Sequence, residues 1–206
     1  MMNARYIEQR EYYMRMTRLY AVLGIMTMMG LTTVLNPGIA QAQSFSASYK
    51  FLKSIKELNY REIKMAVEKG VNVNTRDYDD NTTPLIMAAK MKEVALVGYL
   101  LSNGAKTDLY GKDGRTALNV AAAAGDKATV EVLIKVGADL NMADDNGSTP
   151  LISAVLAKKH HIVKILLEAG AKYDLEDYSG RSALQHAIDT RRRRTEQLLR
   201  DAGATR

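Results

Sequence analysis

The sequence predicts an all-α solenoid of stacked helix-turn-helix units with short β-turn fingers, on three observations. Thr83-Pro84-Leu85, Thr116-Ala117-Leu118, Thr149-Pro150-Leu151 and Ser182-Ala183-Leu184 recur every 33 residues. Gly104-Ala105, Gly137-Ala138, Gly170-Ala171 and Gly203-Ala204 keep the same beat. Between the two marks, apolar residues fall at helical spacing, as in Val97/Leu100/Leu101, Val130/Leu133/Ile134 and Val163/Leu166/Leu167. Two independent marks sharing one period are the signature of a repeat architecture.

The first 42 residues read as a targeting device. Residues 1–18 are polar and net basic, ending in Arg15 and Arg18. Leu19 to Leu35 carries no charge. Asn36, Pro37 and Gly38 are expected to break any helix there. Ala40-Gln41-Ala42 then supplies small residues where a signal peptidase needs them, so cleavage is expected between Ala42 and Gln43. Met14 or Met16 as the start would give a more usual signal length. The alternative is an uncleaved anchor, with the chain facing the periplasm. The apolar run has 17 residues, at the short limit for a span, and includes three Thr and two Gly. Export predicts a periplasmic or secreted protein, with no membrane contact once the signal is removed. Residues 43–48 read as a flexible lead-in, and 49–206 as the repeat domain.

Within the repeat domain each mark has a physical reason. A Thr or Ser hydroxyl caps the first helix by accepting a backbone N–H bond. Pro84 and Pro150 occupy the first helical position, where a missing N–H costs nothing. Leu85, Leu118, Leu151 and Leu184 should point inward. Ala88-Ala89, Ala121-Ala122, Ala154 and Ala187 let first helices approach closely. Glycine after the second helix provides the left-handed position that ends it. Asp, Asn and Gly follow, as in Ala143-Asp144-Asp145-Asn146-Gly147, and these are turn formers. The boundaries read as 49–82 for an N-terminal cap, then 83–115, 116–148 and 149–181, and 182–206 for a C-terminal cap. Gly70 precedes Gly104 by 34, and the extra residue is expected in Asp79-Asp80-Asn81.

The pattern T-P-L…A-A…V…L-L…G-A-D…N…D…G resembles the ankyrin-repeat family, over about residues 49–206. The chain as a whole is similar to a small exported bacterial ankyrin-repeat protein. It departs from the family pattern at the histidine after T-P-L, which is Ile86, Asn119, Ile152 or Gln185. Asn119 and Gln185 can still bridge loops. The interhelical glycine survives only as Gly125; Lys92, Lys158 and Arg191 replace it. These losses should weaken repeats without changing the architecture.

The chemistry expected of an enzyme is missing from the sequence. There is no cysteine, which excludes Cys-ligated zinc, iron–sulfur clusters and thiol catalysis. No phosphate-cradling glycine motif is present. His160 and His161 are neighbours on a helix and do not face each other, so a shared metal is not expected. His186 has no acidic or Ser partner at a recognisable spacing. Asp77, Asp79 and Asn81 lack the Gly and closing Glu of a calcium loop and read as turn formers. No catalytic residue, cofactor or metal is expected. The formal charge is +6, and residues 1–42 carry four Arg and two Glu, so the remainder keeps +4. That excess does not call for nucleic acid. Arg191 to Arg194 read as a solvated turn of the C-terminal cap.

The expected function is non-enzymatic binding of a protein partner through a concave face of fingers and first helices. The resemblance assigns the variable positions of that face to Arg76, Tyr78, Asp79, Thr82, Lys90 and Met91. Tyr110, Lys112, Asp113, Arg115, Ala123, Asp145, Asn146, Ser148 and Leu156 follow, then Glu176, Tyr178, Ser179, Arg181 and Asp189. Tyrosine offers rigid amphipathic contact area and is enriched at binding surfaces. The protein alone is expected to be a monomer. The rival class is a hydrolase-type envelope enzyme, which would need convergent titratable groups in a pocket.

Overall fold

The computed structural model describes residues 37–205. The expected signal core, Leu19–Leu35, lies outside the described residues. Ten α-helices are present among them, in five pairs, with one isolated β-bridge between Glu176 and Ser182 and no strand. The pairs are α1 (Pro37–Lys56) with α2 (Tyr60–Glu68), α3 (Pro84–Met91) with α4 (Val94–Ser102), and α5 (Ala117–Ala124) with α6 (Lys127–Lys135). They continue with α7 (Pro150–Leu156) and α8 (His160–Glu168), then α9 (Ala183–Asp189) and α10 (Arg193–Asp201). The chain is an all-helical repeat solenoid. The chain divides between Ala47 and Ser48, and the stack of pairs belongs to Ser48–Arg206.

Two local expectations are corrected. Pro37 and Gly38 do not break the helix that includes them: α1 opens at Pro37, the first position, where proline is tolerated. Residues 43–48 are not a loose lead-in; α1 runs through them, and through Ala42 and Gln43. Its last turns are held by burial of Phe51, Leu52 and Ile55.

The first helix of each later pair starts as its sequence dictates. Thr83, Thr149 and Ser182 accept from the N–H of Ile86, Ile152 and Gln185, each at 3.3 Å. Thr116 and Asn119 cap each other reciprocally, the closed form of the same device. Leu85, Leu118, Leu151 and Leu184 are all buried. Burial of such a side chain contributes about 1.5–3 kcal/mol. The alanines beside them are buried too, so that α5 packs directly on both α3 and α7.

Every first helix ends in the left-handed region. The residues are Leu58, Lys92, Gly125, Lys158 and Arg191, with φ of 53°, 61°, 72°, 64° and 55°. Four of the five lack the glycine this conformation favours, and the turn forms all the same. The N–H groups that follow close back on the helix, as Lys92 to Ala89 and Glu93 to Ala88. The architecture therefore over-determines the turn, at a cost of roughly 1–2 kcal/mol per non-glycine residue.

The extra residue of the first repeat falls where the sequence places it. Gly111, Asp144 and Asp177 donate their N–H to the carbonyls of Arg115, Ser148 and Arg181. In the first finger Asp77 donates to Thr82, one residue further on. The loop absorbs the insertion at Asn81, which takes φ 57°.

Candidate functional site

The fingers are tied to one another by bonds that cross from repeat to repeat. Arg76 donates to the carbonyl of Tyr110 in the next finger, and its guanidinium lies 5.5 Å over the Tyr110 ring. The Asp145 N–H donates to the Asp113 carbonyl, and the Tyr178 N–H to the Asn146 carbonyl, each at 3.0 Å. A second ladder runs along the finger stems. Asn74 Oδ1 accepts from Lys106 N–H, Asp108 Oδ1 from Asp139 N–H, and Asn141 Oδ1 from Lys172 N–H. Asn119 Nδ2 reaches the carbonyls of Met142 and Ser148, both at 3.2 Å, and so bridges loops as expected. Gln185 instead donates to Asp189 on its own helix.

Acidic side chains brace three of the four fingers from within, at Asp77, Asp144 and Asp177. Asp144 Oδ1 accepts from the N–H groups of Asn146 and Ser148. Asp77 accepts from Lys56 Nζ at 2.7 Å and from Asp79 N–H. The bond to Asp77 raises the Lys56 ammonium above its ordinary value, against some loss of solvation. Burial pushes the Asp77 carboxyl up, but Lys56 and the backbone N–H groups outweigh it and hold it low.

Asp177 is the most heavily bonded of these carboxylates. It accepts from Ser179 N–H and hydroxyl, Arg181 N–H, and His186 Nε2 at 2.6 Å. The sequence reading found no partner for His186, and this is corrected: the pair is enclosed, both side chains being 9% exposed. Nine residues separate the two in sequence, and the finger folds back to bring them together. Burial alone would raise the Asp177 carboxyl. The bonds from Ser179 and His186 and the two backbone N–H groups overcome it and hold the carboxyl far below the usual carboxylate range.

That shift has a consequence for acid stability. A carboxyl depressed on folding stabilises the native state above its unfolded value, near 3.9, and loses that contribution as pH falls toward its folded value. Asp177→Asn should therefore destabilise clearly at neutral pH and much less near pH 2. Denaturant melts at the two pH values check this. A deficit that does not shrink in acid would mean the carboxylate charge is not what braces the finger.

The expected contact residues divide into distinct groups. Tyr78, Tyr110 and Tyr178 are exposed at 58%, 49% and 81%. Asp79, Lys112, Asp113, Asp145, Asn146, Glu176, Ser179 and Arg181 are also exposed on the fingers, and Lys90 at the end of α3. Lys112 and Asp113 lie on a short 3₁₀ turn, Lys112–Gly114. Leu156, at the end of α7, is 46% exposed.

Other residues are placed differently. Thr82 and Ser148 are buried, because each closes the base of its finger, so they are withdrawn as contact residues. Met91 is half-buried against the core. Arg76 is committed to the neighbouring finger. Arg115 folds back toward the Asn119 carbonyl, at 3.5 Å, and is half-buried. The two arginines are thus braces rather than outward anchors.

The arrangement defines a class: a rigid repeat scaffold that presents exposed finger tips and helix ends as a recognition surface. The chain belongs to the ankyrin-repeat family. A family model described as ankyrin repeats, in three copies, matches residues 47–144 and 118–205. Comparison with curated proteins returns no match. Repeats of this family generally mediate protein–protein interaction, and proteins built from them are typically non-enzymatic.

Proposed function

We propose that the chain is an exported binding module that captures a folded protein partner on its finger and first-helix face. The observation that carries this is the placement of Tyr78, Tyr110 and Tyr178 on the first, second and fourth of four fingers that hydrogen bonds tie to one another. Aromatic side chains on a braced backbone lose little freedom on binding, which lowers the entropic cost of association. Lys112, Asp113, Asp145 and Arg181 surround them with mixed charge, which suits a protein surface better than a polyanion.

Changing Tyr78, Tyr110 and Tyr178 to Ala together should abolish capture while leaving the melt nearly unmoved. Exposed substitutions usually shift stability by about 0.5 kcal/mol or less each. Aromatic anchors at an interface can cost about 2 kcal/mol or more of binding each. Arg76 and Arg115 are left intact, because removing them would disturb the fingers. Capture is scored by pulldown from a periplasmic extract, with thermal melts alongside. Retained capture by the triple variant would refute this choice of face.

Export rests on the charge-free run Leu19–Leu35 followed by Ala40-Gln41-Ala42. Cleavage after Ala42 would keep Phe51, Leu52 and Ile55, so the core of the first pair survives it. N-terminal sequencing of the exported protein should return Gln43 first. A chain that keeps its N-terminus and leaves the membrane only in detergent would be anchored instead.

A further inference from the structure

The interhelical turns form an edge of the stack at the opposite end of the helices from the fingers. Each first helix begins at its finger and ends at its turn. The residue that opens each second helix changes sign along this edge. In order it is Asn59, Glu93, Asp126, Lys159 and Arg192. The last two turns carry Lys158, Lys159, His160 and His161, and then Arg191 to Arg194. Neighbouring turns touch: His161 Nε2 lies 3.2 Å from the Gly125 carbonyl oxygen, and the Lys159 stem covers Gly125. α9 packs on α7 and α10 on α8, so the turn of Arg191 to Arg194 is the neighbour of the turn of Lys158 and Lys159.

Among the described residues, none of these six Lys and Arg side chains has a carboxylate partner. Arg192 Nε donates only to Thr190 Oγ1. Of the acids flanking the arginine turn, Asp189 is engaged with Arg181 and Gln185, and Glu196 with Arg200. Lys53, Lys64, Lys127 and Lys164 are different, since each meets a Glu four residues on.

The helix dipoles account for only part of the cationic edge. Lys158 and Arg191 follow the C-terminal ends of α7 and α9, where cations are favoured, but Arg193 and Arg194 lie in the first turn of α10, where stability favours acids. Like charges on adjacent turns also repel. An anionic surface relieves that repulsion. Leu156 and Ile188 stay exposed where α7 and α9 run into these turns. The two turns hold no Tyr, Phe or Trp to stack bases or to anchor the centre of a protein interface.

We propose that this edge docks on an anionic phospholipid surface. Long, unfixed Lys and Arg side chains suit a laterally mobile layer of phosphates, which calls for charge density rather than a shaped pocket. On the export reading proposed above, the run Leu19–Leu35 brings the chain to a membrane whether it is cleaved or kept. The fingers, at the other end of the helices, are left clear for a protein.

The test is partitioning of the full chain onto phosphatidylglycerol and phosphatidylcholine vesicles. Leu19–Leu35 can enter both, so the quantity read is the ratio of the two partition coefficients. Each Lys or Arg near an anionic surface is worth about fivefold in partitioning, so changing Arg191 to Arg194 to Gln should lower the ratio about six-hundredfold. Changing Lys53, Lys64, Lys127 and Lys164 to Gln removes the same charge and should lower it far less. The four arginines changed to Lys should keep the ratio, which separates loss of charge from loss of fold. Equal losses in the two Gln variants would reduce the effect to net charge and overturn the proposal. So would an unchanged ratio, or an Arg variant that keeps its vesicles but loses binding to polyglutamate, which would mark an acidic protein as the occupant.

Discussion

Leu118→Ala is expected to lower stability by about 2–5 kcal/mol, through lost transfer energy and the cavity left behind. Leu118 is buried in α5, the middle of five stacked first helices, with α3 on one side and α7 on the other. Neither neighbour can relax into the hole without losing its own register, so little collapse is available. Leu199 is buried as completely, on α10. That helix packs against α8 on one side, and no described helix covers its other side. Leu199→Ala should cost less, because α10 can shift inward or fray. Denaturant melts of the two variants decide it, and a larger loss at Leu199 would contradict nearest-neighbour stability in the solenoid.

Gly147→Ala is the second large effect, and it acts on the fingers. Gly147 has φ 77°, and a Cβ there would lie 2.7 Å from the Tyr178 amide nitrogen and 3.0 Å from Asp177 Cα. Both are backbone atoms of the next finger and cannot rotate away. The third finger would have to part from the fourth, breaking the bond from Tyr178 N–H to the Asn146 carbonyl. Gly137 supplies the control. Its φ is 84°, but a Cβ there meets nothing within 4 Å. Gly137→Ala should therefore cost only the left-handed strain, about 1–2 kcal/mol. Gly147→Ala should cost about 2–5 kcal/mol, since crowding of packed atoms adds to that strain. It should also weaken partner capture, because Tyr178 moves with its backbone. Similar melts for the two variants would mean that the fingers are not in tight register.

The period of 33 made most of this architecture readable in advance. Capping Thr and Ser, N-terminal Pro, buried Leu and close-packed Ala are local requirements, and each leaves a residue type at a fixed offset. The turns at Lys92, Lys158 and Arg191 were readable as positions for the same reason, since these residues stand where the beat puts a glycine. The helical lead-in was not. Pro37 reads as a breaker when a helix precedes it and as a start when one follows, and burial of Phe51, Leu52 and Ile55 helped to decide between them.

The candidate face was legible as positions but not as roles. The resemblance placed Arg76, Thr82, Arg115 and Ser148 on the same face as the three tyrosines. Whether a finger side chain points out, closes its own loop or grips the next finger depends on distances between repeats, which no spacing within one repeat encodes. The stem ladder through Asn74, Asp108 and Asn141 did leave a trace, an Asn or Asp recurring at 34 and then 33 residues.

By itself the sequence determined the repeat, the helix pairs, their caps and the residues that fill the core, because these follow from hydrogen bonds and burial within a turn or two of chain. The tertiary structure decided what happens where one repeat meets the next. It enclosed His186 with Asp177, withdrew Thr82 and Ser148 from the surface and turned Arg76 onto Tyr110. It also lined up Lys158 and Lys159 with Arg191 to Arg194, some 30 residues away in sequence, as one unpaired cationic edge. Such contacts arise only when stacking brings separate turns within reach, and their energies depend on exposure and partner geometry that a linear pattern does not carry.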